Sequence, residues 1–254
     1  MLIVKTGSFF VQPIALSSGR NRLLAILSPS DRLHVVERCE PVELRLTELL
    51  QEPGAPIRQV LFPTDGFVSL LTPVDGHDRM ETGLIGNEGM LGTALVLGVA
   101  RAPALAMVQG AGTALQMNAR LFRTELARSD KLRAALERYV HVVMCQLAQT
   151  IVCTRFHVVE ERLARWLLMT GDRAHSDDFY ITHEFLASML GVRRAGVTRA
   201  AGALNARRLI RYGRGDLRIL DRPGLERAAC VCYETDRTTY SSVLGRGRNP
   251  PSVR

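Results

Sequence analysis

No stretch of this 254-residue chain approaches the roughly 20 consecutive apolar residues that a membrane-spanning helix needs. Its opening, MLIVKTGSFFVQPIALSSGR, is apolar for only a few residues before Pro and polar residues interrupt it. No membrane association and a cytoplasmic location are therefore expected. Cysteine is sparse, and Cys39, Cys145, Cys153, Cys230 and Cys232 are an odd set without the spacing of a disulfide framework or of paired CxxC motifs. That excludes a disulfide-stapled scaffold and fits a reducing compartment. The six histidines, His34, His77, His141, His157, His175 and His183, form no HxH or HxxxH pair, and Cys230-Val231-Cys232 stands alone, so neither a metal nor any other cofactor is expected. Lysine is nearly missing: Lys5 and Lys131 are the only two among 33 Lys and Arg.

What is present is arginine and a core. With 46% hydrophobic residues the chain has ample material for one large or two modest domains. The formal charge of +8 favours a phosphate-bearing partner, though charge alone speaks to association more than to fold. Arginine is the residue that grips phosphates and guanine edges with two parallel hydrogen bonds.

Three patterns follow one another along the chain. NRLLAILSPSDRLHVVER, from Asn21, predicts two short helices, with Leu23, Leu24 and Leu27 on one face and Ser30 or Asp31 capping the second. From Glu43 to Met117, short apolar runs alternate with Gly, Pro and Asp turns, the pattern of an all-β barrel or sandwich, with Asp65-Gly66 and Asp75-Gly76 as hairpin signals. Between Arg120 and Gly171 glycine is absent and the chain is helical throughout up to about Arg155 to His157. There Leu132, Leu136, Tyr139 or Val140, Val143, Leu147 and Thr150 or Ile151 repeat at threes and fours, a seam suited to a second copy or to the chain's own β body.

The third pattern carries chemistry. In ITHEFLASMLGVRRAGVTRAAGALNARRLIRYGRGDLRIL, Thr182 caps a helix with Glu184 in its first turn. Gly191 supplies a left-handed turn. A second helix follows with Val197, Ala201 and Leu204 inward, and a hairpin closes around residues 213–216. Helix, tight turn, helix and hairpin form a winged helix-turn-helix, whose second helix enters the DNA major groove. Its outward face comprises Arg194, Ala195, Thr198, Arg199 and Gly202. Arg193 is a poor N-cap that a phosphate contact would explain, and Arg207, Arg208, Arg211 and Arg214 flank the wing. Asp221 caps a last helix through Cys232, and residues 235–254 are expected to be disordered.

Residues 21 to 233 resemble the bacterial regulators typified by the cyclic-AMP receptor protein and the fumarate and nitrate reduction regulator, the Crp/Fnr family. The resemblance implies an α+β protein: a cyclic-nucleotide-binding-like β-roll (21–124), a long dimerisation helix (125–156) and a winged helix-turn-helix (157–234), after an N-terminal segment (1–20). It implies a homodimer on palindromic double-stranded DNA, through a seam at Leu132, Leu136, Val140, Val143 and Leu147, with RNA polymerase as a further candidate partner. Arg194, Ala195 and Arg199 stand where the family carries Arg, Glu and Arg for reading bases, and Thr182 where it contacts phosphate. Ala195 lacks the carboxylate, so the operator should differ. Gly92-Thr93 and Arg101-Ala102 stand for the pairs that hold ribose and cyclic phosphate. Thr93 has no carboxylate and Ala102 no hydroxyl, so cyclic-nucleotide binding is not expected. Competing readings are a cupin-like β-barrel metalloenzyme, for which His77 is the only barrel histidine, and a ligand-binding signalling subunit that never touches DNA.

Overall fold

The computed structural model describes residues 2–4, 21–74 and 77–245. Asn21 opens the first compact unit by capping α1 (Arg22–Ala25), accepting from the Leu24 amide at 2.9 Å. Its amide nitrogen donates to the carbonyls of Pro63 and Gly89, so this fully buried side chain has its hydrogen bonds met. Helix α2 (Pro29–Val36) starts two residues earlier than expected from Ser30: Ser28 is the cap, because Pro29 fits the first helical position, where no amide partner is needed.

The β unit contains β2 (Glu40–Leu44), β3 (Leu49–Gln51), β4 (Gln59–Val74), β5 (His77–Ile85) and β6 (Leu105–Asn118), in the order β2-β6-β4-β5 with β3 also on β6. The Asp65-Gly66 hairpin expectation is corrected: β4 runs straight through it with a register shift, and Gly66 adopts φ 72°. A Cβ there would lie 2.4 Å from the Gly110 carbonyl oxygen, so the glycine marks a bulge pressed against β6. Asp75-Gly76 lie outside the described residues, between Val74 and His77, which pair across the β4–β5 ladder. A 3₁₀ turn, Thr93–Leu97, connects β5 to β6.

The helical run divides in two at Ser129, which caps α4 by accepting from the Leu132 amide. Thus α3 (Ala119–Arg128) belongs to the β unit and α4 (Asp130–Phe156) is the long helix, about 40 Å at 1.5 Å per residue. The proposed seam is corrected as well. Leu132 and Leu136 are buried within the chain, packed with Phe62, Met90, Phe122 and their neighbours, Val140 is buried too and Val143 is half-buried; only Leu147 is open. The surface left uncovered is Met144, Leu147, Ala148 and Ile151, one stripe at threes and fours, with Val152 and Phe156 on its flank.

After α5 (Val159–Ala174) come β7 (Asp178–Ile181), α6 (His183–Leu190), α7 (Arg194–Ala206), β8 (Ile210–Gly213), β9 (Asp216–Ile219) and α8 (Arg222–Ala228). A strand in the N-terminal segment, β1 (Leu2–Val4), pairs with β7, giving the sheet order β1-β7-β9-β8. The core of this unit, built on Leu163, Leu167, Leu186, Val197, Leu204 and Leu217, is continuous with Phe67, Leu71 and Leu84 of the β unit. Each fully buried leucine contributes on the order of 1.5–3 kcal/mol, so the two units are docked as one body. At their junction Glu81 of β5 accepts from Ser69 Oγ at 2.6 Å and from Trp166 Nε1 at 2.8 Å. Burial pushes its carboxyl up to about 7.

The tail expectation is overturned for residues 235–244. Helix α9 (Cys232–Leu244) lies along α4, with Tyr233, Tyr240 and Leu244 buried at helical spacing. Asp236 pairs with Arg165 at 2.6 Å, both nearly buried, and the Tyr240 hydroxyl donates to the Glu88 carbonyl. The apolar residues are diluted by Thr, Ser and Arg, and the helix is decided by the groove it fills. The last helix expected from Asp221 ends at Ala228, and residues 246–254 lie outside the described residues.

Candidate nucleic-acid interface

The face of α7 is fixed by its apolar period. Val197, Ala200, Ala201 and Leu204 turn into the core, which leaves Arg194, Ala195, Thr198, Arg199 and Gly202 exposed together on the opposite side. Gly191, at φ 62°, ends α6 as expected, its amide donating to the Ser188 carbonyl. Thr182 caps α6 by accepting from the Phe185 amide at 3.2 Å. Arg193 occupies the cap position of α7 without any side-chain capping bond, so its guanidinium is available on the surface beside the helix start. The hairpin β8–β9 turns through Arg214 and Gly215, both at positive φ, and presents Arg214 and Arg211 to solvent.

Two residues that the sequence did not single out stitch these parts together. His183 Nδ1 lies 3.0 Å from Thr198 Oγ1. The His183 ring stacks on Tyr212 of the wing, centroids 4.4 Å apart and planes 10° apart, while the Tyr212 hydroxyl donates to the Ile181 carbonyl. Burial, with Arg194 nearby, holds His183 below its usual pKa and so favours the neutral ring. Both residues lie in motif positions, but only tertiary contact makes them a brace. Arg207 bonds Glu160 at 2.8 Å, so a phosphate would have to compete with that carboxylate for it.

An exposed basic helix, a left-handed glycine turn before it and a two-stranded wing after it decide the architecture. This is a Crp-like helix-turn-helix domain. The model of that domain matches residues 161–228. No curated protein matches the chain. Among solved structures, the chain is similar to a Crp/Fnr-family transcriptional regulator from Eubacterium rectale (15% identity, 81% of this chain and 96% of that one, TM-score 0.65). It is similar also to FixK2 from Bradyrhizobium japonicum (13% identity, 76% and 98%, TM-score 0.64). A third is the c-di-GMP-responsive global regulator CLP of Xanthomonas campestris (14% identity, 76% and 99%, TM-score 0.62). The chain thus has the fold of Crp/Fnr transcription regulators, with its helix-turn-helix at the C-terminal end and a cyclic-nucleotide-binding-like β-roll before it.

The Crp-like domain does not hang free of that β-roll. Ser188 Oγ donates to the Arg79 carbonyl at 2.9 Å, and a Cβ on Gly191 would lie 2.9 Å from Met80 Sδ. The turn between α6 and α7 therefore rests on β5. No helix among the described residues is long and apolar enough to cross a membrane.

The residues expected at an effector site are dispersed. Gly92, at φ 98°, starts the 3₁₀ turn with its α-carbon against Val60, and Thr93 lines a cavity of about 20 Å³ with Thr82, Tyr139, Val143 and Gln146. Arg101 is exposed and donates to the Gly54 carbonyl at 2.7 Å, while Ala102 is buried in the core. Cys153, His157, Cys230 and Cys232, which the sequence reading treated as separate residues, bring their ligand atoms within 4.8 Å of one another. His157, the C-cap of α4, follows Cys153 by four positions, a CxxxH spacing that a search for HxxxH alone passes over.

Proposed function

We propose that this protein is a sequence-specific DNA-binding transcription regulator that acts as a homodimer on a palindromic operator. One observation carries the reading: Arg194, Thr198 and Arg199 project together from the outer face of α7, with Arg193 and Arg214 placed to hold the flanking backbone. Arg194 and Arg199 are the base readers, and Ala195 between them offers a methyl where a carboxylate would take a cytosine amino group. The helix dipole at Thr182 serves a phosphate.

The uncovered stripe Met144, Leu147, Ala148 and Ile151 supports dimerisation. Met144 is 62% and Ile151 69% exposed, an arrangement that a second copy of α4 relieves through a two-fold seam. Two-fold symmetry sets the half-sites about 34 Å apart, one helical turn. On DNA the dimer would present its remaining surface to RNA polymerase. The signal enters at the β-roll and reaches α7 through β5 and Gly191. In this reading the signal is not a cyclic nucleotide: Thr93 and Ala102 offer neither a carboxylate for a ribose nor a hydroxyl for a cyclic phosphate, and Arg101 bonds the Gly54 carbonyl. Neither the β-roll nor the domain junction carries a catalytic role in this reading.

In vitro selection of binding sites followed by DNase footprinting tests the proposal. A palindrome protected by the wild-type protein, with affinity over random DNA that persists across a salt series, is the expected result. Equal affinity for every duplex would sink it.

A further inference from the structure

Four soft ligands converge where the long helix meets the DNA-binding domain. Cys153 and His157 come from the last turn and C-cap of α4, Cys230 from the short connection between α8 and α9, and Cys232 from the first residue of α9. Cys153 Sγ lies 3.5 Å from Cys230 Sγ, and Cys232 Sγ lies 3.3 Å from His157 Nδ1. Four ligands around one ion at about 2.3 Å for sulfur and about 2.0 Å for nitrogen would stand roughly 3.5–3.8 Å apart at tetrahedral angles. These two spacings fall within about 0.3 Å of the tetrahedral values, and all four ligand atoms lie within 4.8 Å of one another, so closing the shell takes at most about 1 Å of adjustment.

We propose that Cys153, His157, Cys230 and Cys232 form a mononuclear Cys₃His site for a zinc-class divalent ion. Coordination converts the three thiols to thiolates, releases their protons to solvent and takes the histidine in its neutral form. Three thiolates and one divalent ion leave a single net negative charge. The guanidinium groups of Arg162 and Arg165 lie close enough to act on Cys153 and Cys230, and Arg165 Nε is buried with no hydrogen-bond partner among the described residues. Gln149 Nε2 donates to Cys232 Sγ at 2.9 Å, the outer contact that orients a ligating sulfur. The three cysteines are buried and form their own cluster, whereas His157 is half-exposed and opens the route by which an ion enters.

The alternative chemistry of the same cluster is a Cys153–Cys230 disulfide. It would use two of the four groups and leave Cys232 and His157 facing each other without a purpose. A metal uses all four, and it ties α9 to the two-residue junction between α4 and α5. The ion is a clamp: it holds the C-terminal helix against the junction from which the helix-turn-helix domain begins. The site stands on its own geometry and does not depend on the DNA reading.

The test uses the full chain, purified under reducing conditions without chelator or affinity metal. About one zinc per chain by elemental analysis is expected, lost in Cys232→Ser and in Cys153→Ser but kept in Cys39→Ser and Cys145→Ser. Because a ligand variant could unfold, the wild-type protein is also stripped with chelator and titrated with Co²⁺. An intense thiolate-to-cobalt charge-transfer band with tetrahedral ligand-field bands, saturating at one equivalent and reversed by Zn²⁺, supports the site. Stripped protein should show a lower Tm, restored by Zn²⁺, and faster protease cleavage within α9. Any of three results would overturn the proposal: no bound metal with all thiols reduced and no cobalt spectrum, a Cys153–Cys230 disulfide in the native protein, or the chromophore of a multi-iron cluster.

Discussion

The two halves of α4 carry one apolar period to different ends. In the first half Leu132, Leu136 and Tyr139 are sealed against the β-roll, with α9 laid along the same helix; in the second, Met144, Leu147 and Ile151 remain in water. Helix α7 repeats the division across its own width, with Val197 and Leu204 inside and Arg194 and Arg199 outside. The difference teaches that an amphipathic pattern announces a face to be covered without saying by what. Faces covered within the chain should govern stability, and faces left over should govern partners.

Ile151→Glu should have the largest effect. It places an unpaired carboxylate in each side of the proposed seam, at about 3–5 kcal/mol per buried charge. The protein should sediment as a folded monomer and bind its palindrome more than 100-fold more weakly, while its urea midpoint at equal protomer concentration falls only by the linkage to lost dimer. An unchanged dimer would move the seam elsewhere. Leu136→Ala is its counterpart on the covered half. It should lower the unfolding free energy by about 2–5 kcal/mol by cavity formation, with the oligomeric state of the folded fraction unchanged.

Glu81 breaks the rule that the covered faces are apolar, and it makes stability depend on pH. Its folded pKa is raised from 4.5 to about 7 by burial, so the folded state holds the proton more tightly than the unfolded chain. The resulting stabilisation is full below about pH 4.5, declines between 4.5 and 7, and is gone above 7; over the window it is on the order of 3 kcal/mol. Urea unfolding at pH 5 and pH 8 should therefore show wild type losing stability relative to Glu81→Gln as pH rises. A constant difference between the two proteins would contradict the assignment.

On the outer face of α7, Arg194→Ala should cost about 1–3 kcal/mol on the preferred operator and relax selection at one base pair per half-site. A uniform loss on all sequences would make Arg194 a phosphate contact. The smallest effect belongs to Glu184, whose carboxylate lies 3.9 Å from Arg194 Nε, both widely exposed. Glu184→Gln should tighten DNA binding by about 0.2–1 kcal/mol at low salt and by less at high salt.

Local pattern carried the recognition unit and failed at long range. Thr182, Gly191, the inward Val197, Ala201 and Leu204 and the hairpin at Gly213 to Asp216 were all legible, because capping, left-handed turns and helical period are decided within a few residues. Asp65-Gly66 misled because the same dipeptide serves a hairpin or a bulge, and only the carbonyl of Gly110 pressed against Gly66 distinguishes them. Leu132 and Leu136 misled because periodicity does not name the partner. The meeting of Cys153, His157, Cys230 and Cys232 was out of reach for a similar reason: Cys153 and Cys230 are 77 positions apart, and nothing in either neighbourhood points to the other.

By itself, then, the sequence determined the order of the parts, the winged helix-turn-helix and the basic face of α7, since these follow from short-range sterics and from the need to hide every third or fourth side chain. Tertiary structure alone decided which half of α4 stays open, that residues 235–244 are a helix, that Glu81 sits dry between the two units, and that three cysteines and a histidine meet at the junction of α4 and α5. Those outcomes depend on which surfaces meet when the chain closes, and burial and proximity across many tens of residues are properties of the packed body.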